Sequence, residues 1–293
     1  MTFAIDLGQT TELLARFHRK LMDRQAPPWD DFDASAYDEE TREHARRQWA
    51  GRAVAEYAST AHFAQLIHRL TLLGAPIELI GAATRLCQDE CRHAELCARM
   101  ADLLGGREDC PVGPERLSLR DGEPDALLAV YFTILEVCCF GEVLSVPMLR
   151  SMEIVADDPL AKAIVNIIGN DEEYHARFGW EALAALTDRL TDVQRARVQE
   201  SLRISMGHFE RVCIGSPEVI ERLAGQEIEI APRPGNLATL EDVEYAAIFY
   251  DTMQGEIMPK LADLGFDPQE AWRTRVVRST HGGGGEVAAA GVD

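Results

Sequence analysis

The sequence predicts an all-α protein, and three observations support this. Apolar positions recur with helical spacing over long stretches between residues 9 and 278. Turn signals are few, and they lie at the ends of those stretches. No region shows the short alternating runs of a strand-rich domain. Apolar residues make up 46% of the 293-residue chain and charged residues 27%, which indicates a globular protein rather than a disordered or fibrous one.

Four long helices are predicted in the centre of the chain. The first ends at Gly74 and the second starts after Pro76, a stop signal followed by a new start. Pro124 opens the third helix, and Asp158-Pro159 caps the fourth. Pro147 lies inside the third helix and is expected to kink or break it. The four predicted ranges are 37–73, 76–104, 124–156 and 159–190.

Shorter helices are predicted before and after these four. They cover residues 9–24, 192–212, 241–264 and 268–278, with irregular chain at 26–37, 106–123 and 214–240. Long antiparallel helices with short connections form a bundle. We therefore expect a four-helix bundle with additional N- and C-terminal helices, as one domain over residues 1–280 with its core at about 38–190. The glycine-rich tail, residues 281–293, is predicted to be flexible.

Charge and cysteine content limit the function classes. The formal net charge of −20 repels phosphate backbones, and no basic cluster exceeds short pairs such as Arg46-Arg47, so nucleic-acid binding is not expected. The seven cysteines include no CxxC pair, and the N-terminus shows no secretory leader, which favours reduced thiols in the cytoplasm. No uninterrupted apolar run reaches about 18 residues, so no membrane-spanning helix is expected.

Two short strings carry the site prediction. A glutamate and a histidine three residues apart lie on one face of a helix, so both side chains can reach one metal ion. One such string is a weak signal, but two that also share a preceding aspartate are far more than random placement gives. The strings, both in the middle of predicted helices, are Asp89-Glu90-Cys91-Arg92-His93 and Asp171-Glu172-Glu173-Tyr174-His175.

Each string has a glutamate on the preceding predicted helix. Glu56 lies 34 residues before Glu90, and Glu142 lies 30 residues before Glu172. The pattern indicates an approximate duplication of a helical hairpin, with all four glutamates at one height. Glu136 competes with Glu142, but its spacing does not match that of the first half. Four buried carboxylates need compensating charge, which two divalent cations supply, and carboxylates with imidazoles suit iron or manganese.

These residues resemble the ferritin-like non-haem di-iron superfamily over about residues 50–182. The resemblance implies a ferritin-like bundle holding two iron ions, with manganese as the alternative. It also implies that Asp89 and Asp171 accept hydrogen bonds from ligand histidines and that Arg92 is an ion-pair partner, whereas Tyr174 departs from the pattern. The implied metal ligands are Glu56, Glu90, His93, Glu142, Glu172 and His175.

The resemblance further implies an oxygenase or oxidase that activates O2 to oxidise a small organic substrate. No flavin or nucleotide motif is evident, so electrons are expected from a separate ferredoxin or reductase. A homodimer is expected by resemblance alone. A di-metal peroxidase or catalase, a ferroxidase and a metal-free helical interaction module stay open as alternatives. His208 and the cysteines, among them Cys87 and Cys138, stay open as additional site residues.

Overall fold

The structure, a computed structural model, describes residues 2–107, 110–118, 122–224 and 226–276. It is 75% helical, and in the described residues the one strand-like pairing is an antiparallel bridge between Phe3 and Val112. The predicted all-α class is confirmed. The predicted flexible tail at 281–293 lies outside the described residues.

Nine helices follow one another in the described chain, with short 3-10 turns in the connections. They are α1 (Glu12–Met22), α2 (Glu39–Leu72), α3 (Ile77–Leu103), α4 (Ala126–Val155), α5 (Pro159–Thr187), α6 (Asp192–Ile214), α7 (Pro217–Leu223), α8 (242–263) and α9 (Pro268–Arg273).

Side-chain caps define the starts of the long helices. The carboxylate of Asp38 accepts a hydrogen bond from the Thr41 amide at 2.7 Å, and that of Asp158 accepts one from the Ala161 amide at 2.8 Å. Such caps satisfy amides that have no partner inside the helix. Gly74, at φ 67°, lies in the turn that follows α2, a conformation that other residues rarely adopt.

Three sequence-based expectations about the helices are corrected. Of the two effects expected of Pro147, a break does not occur, because α4 continues through it to Val155. The irregularity lies upstream, where the segment Ile134–Glu142 forms a π-helical turn and the Val143 amide bonds the Cys138 carbonyl five residues back. A proline inside a helix clashes with the carbonyl four residues before it. For Pro147 this is the carbonyl of Val143, the residue that directly follows the π-helical turn.

The other two corrections concern the C-terminal third. Helix α7 lies inside the stretch 214–240 that was predicted as a loop; its start has the usual sequence Ser216-Pro217, with proline at the first helical position. Helix α9 ends at Arg273 rather than at 278. Helix α8 also contains a π-helical turn, at Met253–Ile257.

The four long helices form two hairpins, α2 with α3 and α4 with α5. The hairpins meet through contacts of α3 with α5 and of α2 with α4. Helices α6, α8 and α9 pack on one another, α6 and α8 also contact α4, and α1 contacts α3. The C-terminal helices therefore extend the core that the hairpins form.

The buried apolar side chains form two clusters, one towards each end of the hairpins. On α2, Phe63 belongs to one cluster and Trp49 to the other; on α5, Leu183 and Ile164 divide in the same way. On α2, α3 and α5, the levels between the two clusters are those of the predicted site residues, and on α4 Glu142 lies at the edge of the first cluster. A polar layer thus lies between two apolar cores.

By length and composition alone, helix α4 is long and apolar enough to cross a membrane. Its most apolar stretch is 67% buried within the protein. This burial is that of a core helix and suggests a soluble protein. The cytoplasmic location stays a prediction.

Candidate metal centre

The structure brings all six predicted ligand side chains into one cluster. They form two groups of four, and within each group the ligand atoms lie within 4.8 Å of one another. Glu90 of α3 and Glu172 of α5 belong to both groups. The first group is Glu56, Glu90, His93 and Glu172; the second is Glu90, Glu142, Glu172 and His175. Such an arrangement could hold two metal ions side by side.

Both imidazoles present Nδ1 to the carboxylates. The His93 Nδ1 lies 3.2 Å from Glu172 Oε1, 3.7 Å from Glu56 Oε2 and 3.8 Å from Glu90 Oε1. The His175 Nδ1 lies 3.1 Å from Glu90 Oε1 and 3.3 Å from Glu172 Oε2. Each histidine therefore faces both shared glutamates, with the two ring centroids 5.8 Å apart.

The buried atoms at the centre of the cluster lack hydrogen bonds of good geometry. They include both carboxylate oxygens of Glu90, Oε2 of Glu172, and the Nδ1 atoms of His93 and His175. Buried polar atoms are normally satisfied, and leaving them without partners costs stability. These are the atoms that would bind a metal, and hard oxygens with imidazole nitrogens suit iron or manganese. The donor set fits a two-metal centre.

The pKa values of the cluster residues also indicate that the buried carboxylates lack compensating positive charge. Burial and the neighbouring Glu172 raise the pKa of Glu90 to about 8, and burial also raises that of Glu142 well above its usual range. Burial opposes ionisation of Glu172 too, but His175 lowers its pKa well below normal. Burial disfavours the charged histidines, yet the surrounding carboxylates raise the pKa values of His93 and His175. Protons thus occupy the place of counter-ions.

Each predicted aspartate contacts the histidine of the other string. Asp171 on α5 lies with Oδ2 3.2 Å from the Nε2 of His93, and Asp89 on α3 lies with Oδ2 3.6 Å from the Nε2 of His175. A carboxylate at Nε2 favours the tautomer whose Nδ1 carries a lone pair towards the metal. Arg92 contacts Asp171 at 3.5 Å, as an ion-pair partner should.

Two arginines at these aspartates were not predicted. Arg85 Nε lies 3.2 Å from Asp89 Oδ2, and Arg24 Nη1 lies 3.5 Å from Asp89 Oδ1. Arg85 precedes Asp89 by four residues, a spacing typical of helical ion pairs and the one signal the sequence offered. The Arg85 guanidinium also lies 4.3 Å from the centre of the Tyr174 ring, which gives that residue a contact.

Several residues left open by the sequence lie outside both groups. Glu136 accepts a hydrogen bond from Ser205 Oγ at 3.1 Å, so Glu142 is the glutamate that α4 contributes. His208 contacts Arg211 and Phe209. Cys138 is fully buried, and burial raises the pKa of its thiol well above normal; burial likewise raises the pKa of Cys87 to about 11. Neither thiol belongs to the two groups.

Comparisons with known proteins returned no match: neither models of protein families, nor curated proteins, nor solved structures are similar to this chain at a significant level. The structure by itself therefore supports a helical protein with a buried Glu and His cluster that could hold metal ions.

Proposed function

We propose that this protein is a ferritin-like non-haem di-iron oxygenase or oxidase that uses O2 to oxidise a small organic substrate. The observation that carries the proposal is the pair of four-residue groups that share Glu90 and Glu172 at the centre of two packed helical hairpins. The residues in common imply two ions in one site rather than two separate sites.

The proposed roles follow from the positions of the side chains. Glu90 and Glu172 would contact both ions; Glu56 and His93 would complete one coordination sphere, and Glu142 and His175 the other. Bound iron supplies the redox chemistry of O2 activation. The chain itself supplies four carboxylates, excludes water by packing, and places the carboxylates of Asp171 and Asp89 beside the Nε2 atoms of His93 and His175.

The exposure of the ligands suggests the side from which small molecules enter. The Glu56 side chain is 13% exposed, whereas Glu142 is 7% exposed, the side chains of Glu90 and Glu172 are 1% exposed and both histidines are fully buried. We therefore place the approach of O2 and substrate on the Glu56 side. A separate ferredoxin or reductase supplies electrons in this proposal.

The experiment is an anaerobic titration with Fe(II), and in parallel with Mn(II), followed by mixing with O2 under observation by visible absorbance. We expect two Fe(II) per chain and an absorbance change that depends on O2. The variants Glu90→Ala, Glu142→Ala and His175→Ala should each lose binding. Glu136→Ala is the matched control, because this glutamate lies on the same π-helical turn as Glu142 but outside the cluster.

The outcomes separate the alternatives. Absence of metal binding, or binding that none of the three variants reduces, would leave a metal-free helical interaction module as the better account. Two bound ions with rapid disproportionation of hydrogen peroxide would favour a di-metal catalase. Consumption of O2 by Fe(II) alone, with release of ferric iron, would favour a ferroxidase.

A further inference from the structure

Helix α1 presents an apolar face that no other described part of the chain covers. Leu13, Leu14 and Phe17 are 60%, 56% and 60% exposed. Their spacing places them on one side of the helix. The opposite side contacts the protein, where His18 meets Glu95 of α3 and Met22 is buried. Large apolar side chains exposed together on one face are typical of an interaction site.

Basic residues border this apolar face. The stretch 12–25 carries Arg16, Arg19, Lys20 and Arg24 against two acidic residues, Glu12 and Asp23, so its formal charge is +2 in a chain of −20. Arg16 and Lys20 are exposed and flank Phe17 by one and three residues. We call Leu13, Leu14, Arg16, Phe17, Lys20 and Arg24 the α1 face.

The α1 face is also where the charged contacts around the candidate metal centre reach the surface. Arg24 is 48% exposed, and its guanidinium contacts the fully buried Asp89, which in turn contacts His175 Nε2. The neighbouring Gln25 carbonyl accepts a hydrogen bond from Arg92 at 3.0 Å, and Arg92 pairs with Asp171. Two contacts separate the exposed Arg24 from a proposed metal ligand.

From this we infer that the α1 face is the docking site of an acidic iron–sulfur electron carrier. The inference rests on the proposed function, which requires an external electron donor. Each docking event transfers one electron from the reduced carrier, which leaves oxidised, and two events deliver the two electrons that reduction of a two-metal centre takes up. Complementary charge favours this site, because the stretch 12–25 has a formal charge of +2 in a chain of −20.

Two other occupants fit the α1 face less well. A symmetric contact between the α1 faces of two copies would place their cations against one another. An anionic membrane would attract this short helix but repel the strongly acidic remainder of the chain. A small acidic protein that contacts only the α1 face avoids both the repulsion between like cations and the repulsion from the acidic remainder of the chain.

The test measures binding and electron transfer separately, with a plant-type [2Fe–2S] ferredoxin as the probe. Binding to the metal-free protein is measured by calorimetry at several salt concentrations. We expect the double variant Arg16→Glu, Lys20→Glu and the variant Phe17→Ser each to weaken the complex about tenfold or more, and added salt to weaken the wild-type complex. The matched controls are Lys162→Glu with Arg189→Glu, and Ile77→Ser, all at exposed positions away from α1.

Reduction of the Fe-loaded protein is then followed by stopped flow with reduced ferredoxin and, separately, with dithionite. We expect the α1 variants to slow reduction by ferredoxin and to leave reduction by dithionite unchanged. Ferredoxin binding that the α1 variants do not alter would overturn the inference. So would α1-dependent dimers in sedimentation, or α1-dependent binding to phosphatidylserine vesicles, without ferredoxin binding. Failure to bind iron would instead refute the proposed function, since ferredoxin binding is measured without metal.

Discussion

Asp89 and Asp171 each lie next to a proposed ligand glutamate on their own helix, but each contacts the histidine of the opposite helix. This crossed arrangement ties α3 to α5 at the level of the cluster. It couples the orientation of each imidazole to the packing of both helices. The arginines at the two aspartates stabilise their negative charge. The positions of the ligand histidines therefore depend on the aspartates that contact them and on the arginines that contact those aspartates.

We predict that Asp89→Asn and Asp171→Asn each weaken metal binding about tenfold to a hundredfold, because the outer partner of a ligand histidine sets its tautomer and orientation. In the metal-free protein, Asp89→Asn should shift the imidazole NMR signals of His175 more than those of His93, and Asp171→Asn the reverse. Metal affinity is measured by competition with a chelator.

The control for the aspartate variants is Asp251→Asn, an exposed position on α8 that lies outside the cluster. Its metal affinity should equal that of the wild type. If Asp89→Asn instead altered the signals of His93 most strongly, the crossed contacts would not exist in solution.

The six cluster residues could be predicted from the sequence because each depends on spacing within one helix or on its repetition in a second hairpin. The crossed contacts could not, because they depend on how α3 meets α5. The contact of Arg24 with Asp89 could not be predicted either, because the two residues are 65 positions apart in the chain. Sequence spacing shows which residues share one face of a helix, whereas contacts between residues on different helices depend on how the helices pack.

At the scale of elements, the close approach of α5 to α4 positions Glu142. A Cβ atom on Gly179 of α5 would lie 2.6 Å from Cys138 Cβ and 3.1 Å from Cys139 Sγ, both on the π-helical turn that ends at Glu142. Glycine is therefore required for the two backbones to pack at this distance. The turn widens α4 at the point where it presents its glutamate to the cluster, and such turns often occur at functional sites.

We predict that Gly179→Ala destabilises the protein by about 1–3 kcal/mol, because the added methyl group forces apart two packed helices. It should also weaken metal binding, since Glu142 moves with the turn. Urea unfolding and chelator competition measure the two effects.

The matched control is Gly81→Ala on α3, where a Cβ atom would meet nothing within 4 Å. An alanine at an exposed helical position should stabilise the protein by about 0.5–1 kcal/mol. Equal effects of the two substitutions would show that α4 and α5 do not pack this closely. The π-helical turn itself was not predictable, since the sequence signalled distortion only at Pro147, five residues beyond Glu142.

At the scale of the whole molecule, the cluster is a layer of acidic and imidazole side chains between two apolar cores. Apolar side chains fill both ends of the hairpins, and the four carboxylates lie between them with few hydrogen bonds. Without cations this layer opposes folding, because its buried carboxylates must either take up protons or stay ionised without hydration. Bound metal ions would convert the same layer into one that holds four helices together, so in our proposal stability and metal content are linked.

This linkage gives opposite expectations for one substitution with and without metal. Glu142→Gln removes a buried acid but keeps a group that can donate a hydrogen bond to Glu172, so the metal-free variant should melt at a higher temperature than the metal-free wild type. With Fe(II) at about 100 times the dissociation constant, the wild type should gain about 2.7 kcal/mol per site, and the variant should gain less. Calorimetric melts under anaerobic conditions measure both, and Glu136→Gln, outside the cluster, should follow the wild type. A metal-free Glu142→Gln protein that melts below the wild type would mean that the carboxylates stabilise the fold without cations, and the layer would then have no need of metal.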